Sequence, residues 1–155
     1  MPIAIFRPAI VIPTCKEPVA GWIDNMYGPT GIIVGVAAGL LRVLHIHKEN
    51  NAEVVPVDFC VNSMLACAWD VSKTSYEEPP IYNYVTSAKN PITWERYTEL
   101  GIKHGQKIPL QKSIWYYTFT MSSSKFYVTL LKFFYHIIPA LIMDFGLLVT
   151  GKKTK

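Results

Sequence analysis

Ten residues near the start of the chain, Ile3 to Ile12, are aliphatic or aromatic except for the pair Arg7-Pro8. A strand with one wet face alternates polar and apolar side chains. This run does not alternate, so it fits a strand covered on both faces, the usual situation of a parallel sheet flanked by helices. Parallel neighbours need long crossovers, which places the chain in the α/β class. Pro8 has no N–H to give to a ladder. The strand is therefore expected to end, bend or change partner there.

Downstream, Pro13 to Thr30 carries Pro13, Pro18, Gly21, Gly28 and Pro29 around Trp22, Asp24 and Asn25. A loop of this length inside a compact domain is frequently functional. Gly31 to Leu44 reads as a small-residue helix. Gly31, Gly35 and Gly39 fall on one side of it, which suggests close approach of another backbone. His45 to Val54 reads as a polar connector. Val55-Pro56-Val57-Asp58 then leads into a helix from Phe59 to Trp69, with Asp58 in the N-cap position. Ile81 to Thr86 is a short strand candidate. Thr93 is placed to cap a helix that carries Glu95 and Glu99 in its first turns and ends at Gly101 or Gly105. The aromatic-rich stretch from Ile108 to Ser124 differs in character, which suggests a domain boundary at residue 108. Lys125 to Val149 reads as an apolar helix broken or bent at Pro139. Lys132, His136 and Asp144 interrupt its apolar run, so a buried or interfacial helix is expected rather than a membrane span.

Half of the residues are hydrophobic and 17% are charged. That supports a packed core and argues against disorder. The net charge of +4 is modest, with no basic stripe interleaved with aromatics. This excludes nucleic acid as the expected partner. Lys152, Lys153 and Lys155 either touch anionic lipid head groups or form a solvated tail, the reading we favour. Cys15, Cys60 and Cys67 are odd in number and contain no C-x-x-C, which fits a reducing compartment. Cys60 and Cys67 lie two helical turns apart and read as small core residues. The opening apolar run is too short for a secretory signal.

Three patterns suggest chemistry. Thr30-Gly31-Ile32-Ile33-Val34-Gly35 resembles a phosphate loop, but turn residues rather than a strand precede it and Ala37 stands where the last glycine belongs. Helix packing is the better explanation. His45 and His47 have no supporting ligand pattern and read as connector histidines, so no metal site is expected. Cys15 beside Lys16 reads as a loop cysteine. No catalytic residue is assigned.

Taken in order, the segments resemble a known family. Ile5-Phe6-Arg7-Pro8-Ala9-Ile10-Val11-Ile12-Pro13 is similar to a late strand of the extended short-chain dehydrogenase/reductase fold. Pro18-Val19-Ala20-Gly21-Trp22-Ile23-Asp24-Asn25 with Gly28-Pro29-Thr30-Gly31 is narrower, and resembles the alcohol-forming fatty acyl-CoA reductases of the insect type. Val55-Pro56-Val57-Asp58, Val61-Asn62, Tyr82-Asn83 and Pro91-Ile92-Thr93-Trp94 continue the likeness.

The resemblance implies the C-terminal half of a Rossmann-type domain. Residues 1–108 would be its substrate-side part, and residues 109–155 the start of a helical C-terminal domain. It implies NADPH-dependent reduction of a long-chain fatty acyl-CoA, through the aldehyde, to a fatty alcohol. The family's Tyr-x-x-x-Lys pair, whose tyrosine is the general acid, and its glycine-rich dinucleotide loop are absent from this sequence. The chain alone is thus expected to be inactive and to need the N-terminal part of the same domain. By the same resemblance, the backbone of Ile12, Pro13 and Thr14 would lie near the nicotinamide. Gly21, Trp22, Ile23, Asp24, Asn25, Gly28 and Gly31 would line the acyl-CoA site, with Asp24 and Asn25 fixing the loop through local hydrogen bonds. A cytosol-facing membrane surface, of peroxisome or endoplasmic reticulum, is the implied location. The rival readings are a short non-catalytic protein that binds acyl-CoA or lipid, or pairs with a reductase, and a small membrane-anchored protein.

Overall fold

A computed structural model of the chain describes residues 2–111 and 113–151. The terminal Lys152, Lys153 and Lys155 lie outside the described residues. The described chain divides into two compact units. One comprises the residues up to Gly31 together with Asn51–Thr93, the other Ile32–Asn50 together with the residues from Trp94 onward.

The first unit holds β1 (Ile5–Pro8), β2 (Ile10–Ile12), β4 (Val54–Pro56), α2 (Val57–Lys73) and β5 (Ile81–Tyr84). The apolar run does change partner after its proline. β1 pairs in parallel with β5, from Ile5 opposite Ile81 to Pro8 opposite Tyr84. β2 pairs in parallel with β4, from Ile10 opposite Val54 to Ile12 opposite Pro56. At the switch, the N–H of Ala9 donates to the Tyr84 carbonyl at 3.0 Å and the next N–H, of Ile10, donates to Glu53 at 2.9 Å. Pro8 offers no N–H, so the first ladder cannot run on unbroken.

α2 packs against all four of these strands. Val54, Val55, Ala52 and Cys60 form the buried centre. The expected cover on both faces is not complete among the described residues. Ile5, Ile10 and Val11 remain about 40% exposed, although each is an aliphatic strand residue. One helix shields one face of a sheet, and a parallel sheet needs both shielded.

The second unit holds β3 (Val43–His45), α3 (Trp94–Gly105), β6 (Thr120–Ser122), α4 (Lys125–Lys132) and α5 (Ile138–Val149). β3 and β6 pair in parallel, from Val43 opposite Thr120 to His45 opposite Ser122. α4 packs on both, and Val43, Val36 and Val128 are buried. The polar connector expected from His45 is therefore shorter, because β3 takes its first residue.

α1 (Gly28–Ala37) supplies its first turn to the first unit and its remainder to the second. It ends seven residues before the expected Leu44 because Gly39 is a terminator rather than a packing residue. Gly39 sits at φ +76. Its N–H donates to Val36 at 3.0 Å and that of Leu40 to Gly35 at 2.9 Å. This is the paired bonding of a Schellman ending, which requires a left-handed residue just past the helix.

The final helix also differs from expectation. It is not broken at Pro139; a π-helical turn, Phe133–Ile137, joins α4 to α5. The N–H of Ile138 reaches back to the Phe133 carbonyl. Widening the turn accommodates a residue that has no N–H and whose ring crowds the preceding turn. The combined Lys125–Val149 helix is 25 residues, long and apolar enough to cross a membrane, and only 6% of its most apolar stretch is buried. The buried alternative is thus not what the described residues show.

Candidate functional site

In open α/β sheets, ligands bind beyond the carboxyl ends of the strands. β2 and β4 run in parallel, and a cleft of about 250 Å³ opens around β2. Its floor is Ile10, Val11 and Ile12 with Val57 from the start of α2. Its wall is the Trp22–Asn25 segment, and Tyr27, Gly28 and Pro29 close it where α1 begins. The lining is mostly apolar, with Asp24 and Asn25 as its polar members. Trp22, Met26 and Tyr27 are all more than half exposed at or beside its rim. Such a surface suits an apolar ligand that has a few polar atoms to orient.

The loop holds its shape through Thr14, which is only 6% exposed. Its hydroxyl donates to the Val19 carbonyl and accepts the Trp22 N–H at 2.9 Å. Its own N–H donates to the Trp22 carbonyl at 3.2 Å, and its carbonyl accepts from Gly21 at 2.8 Å. All four polar functions of one buried threonine thus bind the loop that carries Trp22, as buried polar groups must. Gly21 takes φ +78, the turn that this return demands. Asp24 and Asn25 do make local bonds. Asn25 Nδ2 donates to Asp24 Oδ1 at 3.2 Å, and Asn25 Oδ1 accepts the Tyr27 N–H at 3.1 Å, an Asx turn leading into α1.

Of the residues expected at the site, Ile12, Trp22, Ile23, Asp24, Asn25 and Gly28 line the one cleft. Pro13, Thr14, Gly21 and Gly31 are not among its lining residues. Gly31 has a structural reason to be glycine: a Cβ there would come within 2.2 Å of the Met26 carbonyl oxygen. The close approach is to the chain's own backbone. Together with the Asx turn in place of a preceding strand, it favours a packing reason for these glycines over a pyrophosphate cradle. The residues described here do not fit the phosphate half of a dinucleotide.

Asp58 is not the helix cap expected from the sequence. α2 starts at Val57, two residues before the expected Phe59, the N-cap position falls on Pro56, and no side chain caps it. The Asp58 carboxylate instead reaches the loop after β2. It accepts the N–H groups of Cys15 and Lys16, each at 2.9 Å, and that of Glu17 at 3.4 Å. The Cys15 N–H, more than any other group, holds this carboxyl below its ordinary range. A depressed carboxylate contributes stability that is present above the ordinary pKa and is lost as pH falls through the lower, folded value. The loop should therefore loosen only below about pH 4. Fluorescence-monitored unfolding across that range should show the loss, and Asp58→Asn should flatten it.

A second carboxylate network was not legible in the sequence. Asp70, near the end of α2, accepts from the Tyr76 hydroxyl at 2.6 Å, from the Tyr82 hydroxyl and from Thr74 Oγ1 at 3.3 Å. Tyr76, then Tyr82, holds Asp70 low, and Asp70 in turn pushes the Tyr82 phenol well up. The network ties α2 to β5. The His45 and His47 rings meet edge to face with centroids 6.0 Å apart, and His45 Nε2 lies 3.0 Å from the Ser123 carbonyl oxygen. No group of three metal-ligating side chains occurs among the described residues. Cys60 is buried, Cys67 half-buried and Cys15 exposed.

The first unit thus combines parallel strand pairs with an apolar cleft lined by β2. The profile of an NAD-binding family, the male sterility protein family, matches residues 1–64. Over its whole length the chain is related to fatty acyl-CoA reductases. It is 53% identical over 155 residues to the fatty acyl-CoA reductase wat of Drosophila melanogaster, covering 100% of this chain and 30% of that protein. It is 36% identical to fatty acyl-CoA reductase 1 of Rattus norvegicus, covering 97% of this chain and 29% of that protein. It is 33% identical to fatty acyl-CoA reductase 2 of Homo sapiens, covering 99% of this chain and 30% of that protein. The chain thus spans about 30% of the length of the relatives it matches.

Proposed function

We propose that this chain is the substrate-side segment of an alcohol-forming fatty acyl-CoA reductase, and that the cleft beside β2 takes the acyl chain of a long-chain acyl-CoA. The observation that carries this reading is the apolar cleft walled by Trp22 and Ile23 and shaped by Thr14. The similarity of the whole chain to part of the fatty acyl-CoA reductases supports it. Residues 1–108 are read as the later half of a Rossmann-type domain, and 109–155 as the start of a helical domain.

In this reading a nicotinamide dinucleotide, NADPH, supplies hydride when bound. The strand end at Ile12, Pro13 and Thr14 borders the nicotinamide through its backbone, and the pyrophosphate belongs to a part of the protein outside this segment. Trp22, Ile23 and Ile12 hold the chain near the reacting carbon and exclude water. Asp24, Asn25, Gly21, Gly28 and Gly31 set the loop and the start of α1. The exposed Lys125–Val149 helix is the element to rest on a cytosol-facing membrane, of peroxisome or endoplasmic reticulum.

Two results are expected. Full-length protein carrying this segment should convert long-chain acyl-CoA and NADPH to fatty alcohol, and the 155-residue chain alone should not. Trp22→Ala in the full-length protein should raise the acyl-CoA KM about tenfold with kcat little changed, because it removes contact made equally in ground and transition states. Acyl-CoA binding by the short chain without turnover in any longer form would favour a non-catalytic binding protein. The open faces of β1 and β2 are read as the seat of the domain's N-terminal part. Expressed alone, the chain should be poorly soluble through its exposed strand residues. A monomeric, cooperatively melting product would contradict that.

A further inference from the structure

The loop that leads to the wall of the cleft is tied to α2 by the carboxylate of Asp58. Asp58 follows Val57, which lines the cleft floor. Asp58 Oδ1 accepts the Cys15 N–H, and Oδ2 accepts those of Lys16 and Glu17. Three successive N–H groups turned to one side form a concavity that suits an anion, and the aspartate supplies one. The same loop leads directly from Thr14, whose N–H, carbonyl and hydroxyl bind Gly21 and Trp22. The contacts therefore run from the first turn of α2 through Asp58 to residues 15–17, then through Thr14 to the wall of the cleft.

We propose that Asp58 is a positioning residue that sets where the Trp22 segment stands over the cleft. The carboxylate touches neither Trp22 nor the cleft contents. It fixes the backbone that presents Thr14, and Thr14 fixes Gly21 and Trp22. The kinetic consequence, though not the mechanical one, rests on reading the cleft as the acyl-chain site. An asparagine keeps one acceptor oxygen for three donors, and an alanine keeps none. A graded response is expected, with glutamate restoring part of the hold.

The test is amide hydrogen exchange on the full-length protein carrying Asp58→Asn, Asp58→Ala or Asp58→Glu, read beside steady-state kinetics. Exchange at Cys15, Lys16 and Glu17 should quicken in Asp58→Asn and more so in Asp58→Ala. Exchange at Gly21 and Trp22 should quicken with it, by about tenfold, while the β2–β4 ladder stays protected. The acyl-CoA KM should rise with kcat within about twofold of wild type. Loosening of 15–17 with Gly21 and Trp22 unmoved would overturn the proposal, as would no change anywhere. If Asp58→Ala also loses the β2–β4 ladder, it has misfolded and Asp58→Asn decides. If exchange follows the expected pattern while wild type neither binds nor turns over acyl-CoA, the positioning role stands and the acyl-site reading falls.

Discussion

Gly39→Ala should lower the melting temperature by roughly 5–15 °C. Two costs combine at this position. Gly39 takes φ +76, a left-handed conformation that costs a residue with a Cβ about 1–2 kcal/mol. The added Cβ would also lie 2.6 Å from the Trp115 carbonyl oxygen and 2.9 Å from the Trp115 Cβ. Relieving such a contact costs about 1–3 kcal/mol. Trp115 cannot yield freely, because the Arg42 guanidinium stacks on its ring at 4.8 Å and on Tyr135 at 5.4 Å. The neighbouring N–H of Ile114 donates to the Ala38 carbonyl at 3.0 Å. Gly101→Ala is the control. Gly101 lies within α3 with open space where its Cβ would go, so alanine should stabilise that helix by about 1 kcal/mol. Paired thermal melts of the two variants check both signs.

Gly31→Ala should disable the cleft. A Cβ at Gly31 would stand 2.2 Å from the Met26 carbonyl oxygen, and backbone, unlike a long side chain, cannot swing away. Met26 and Tyr27 must move, and Tyr27 lines the cleft. The expected cost is again about 1–3 kcal/mol of stability. If the proposed function holds, the acyl-CoA KM of the full-length protein should rise by more than about tenfold, while the NADPH KM stays unchanged. One helical turn on, Gly35→Ala should be tolerated, since its Cβ would meet Leu41 at an ordinary 3.5 Å. Kinetics of the two variants against both substrates separate the readings of this glycine pattern. A pyrophosphate cradle would show its loss in the NADPH KM, and backbone packing shows it in the acyl-CoA KM.

What the sequence disclosed and what it hid follow from the range of the interactions. The unalternating run from Ile3 to Ile12 disclosed parallel pairing, and Pro8 disclosed a break in the ladder, with an end, a bend and a change of partner left open, because both are local properties of a strand. The helices of residues 57–73 and 94–105 were legible from their apolar patterns, though the start of the first was misplaced by the aspartate beside it. Gly39 was misread because three glycines at helical spacing look alike. Only the return of Leu40 to the Gly35 carbonyl distinguishes a terminator from an interior packing residue. β3 and β6 are three residues each and are defined by pairing across a long sequence gap, which no local pattern encodes. Within the site, the Trp22–Asn25 segment was recognised by resemblance. The roles of Thr14 and Asp58 depend on contacts eight and more than forty residues away. An aspartate beside a helix start reads as a cap in one dimension, and only the fold brings it to the Cys15 loop.

Photoaffinity labelling tests the central claim most directly. A long-chain acyl-CoA with a diazirine near the end of its acyl chain would be irradiated with the full-length protein that carries this segment, and the labelled peptides read by mass spectrometry. The account predicts label on the peptide spanning Trp22 to Pro29, competed away by unlabelled acyl-CoA and lost in Trp22→Ala. Label confined to other parts of the protein, with residues 10–29 and 57 untouched, would contradict it.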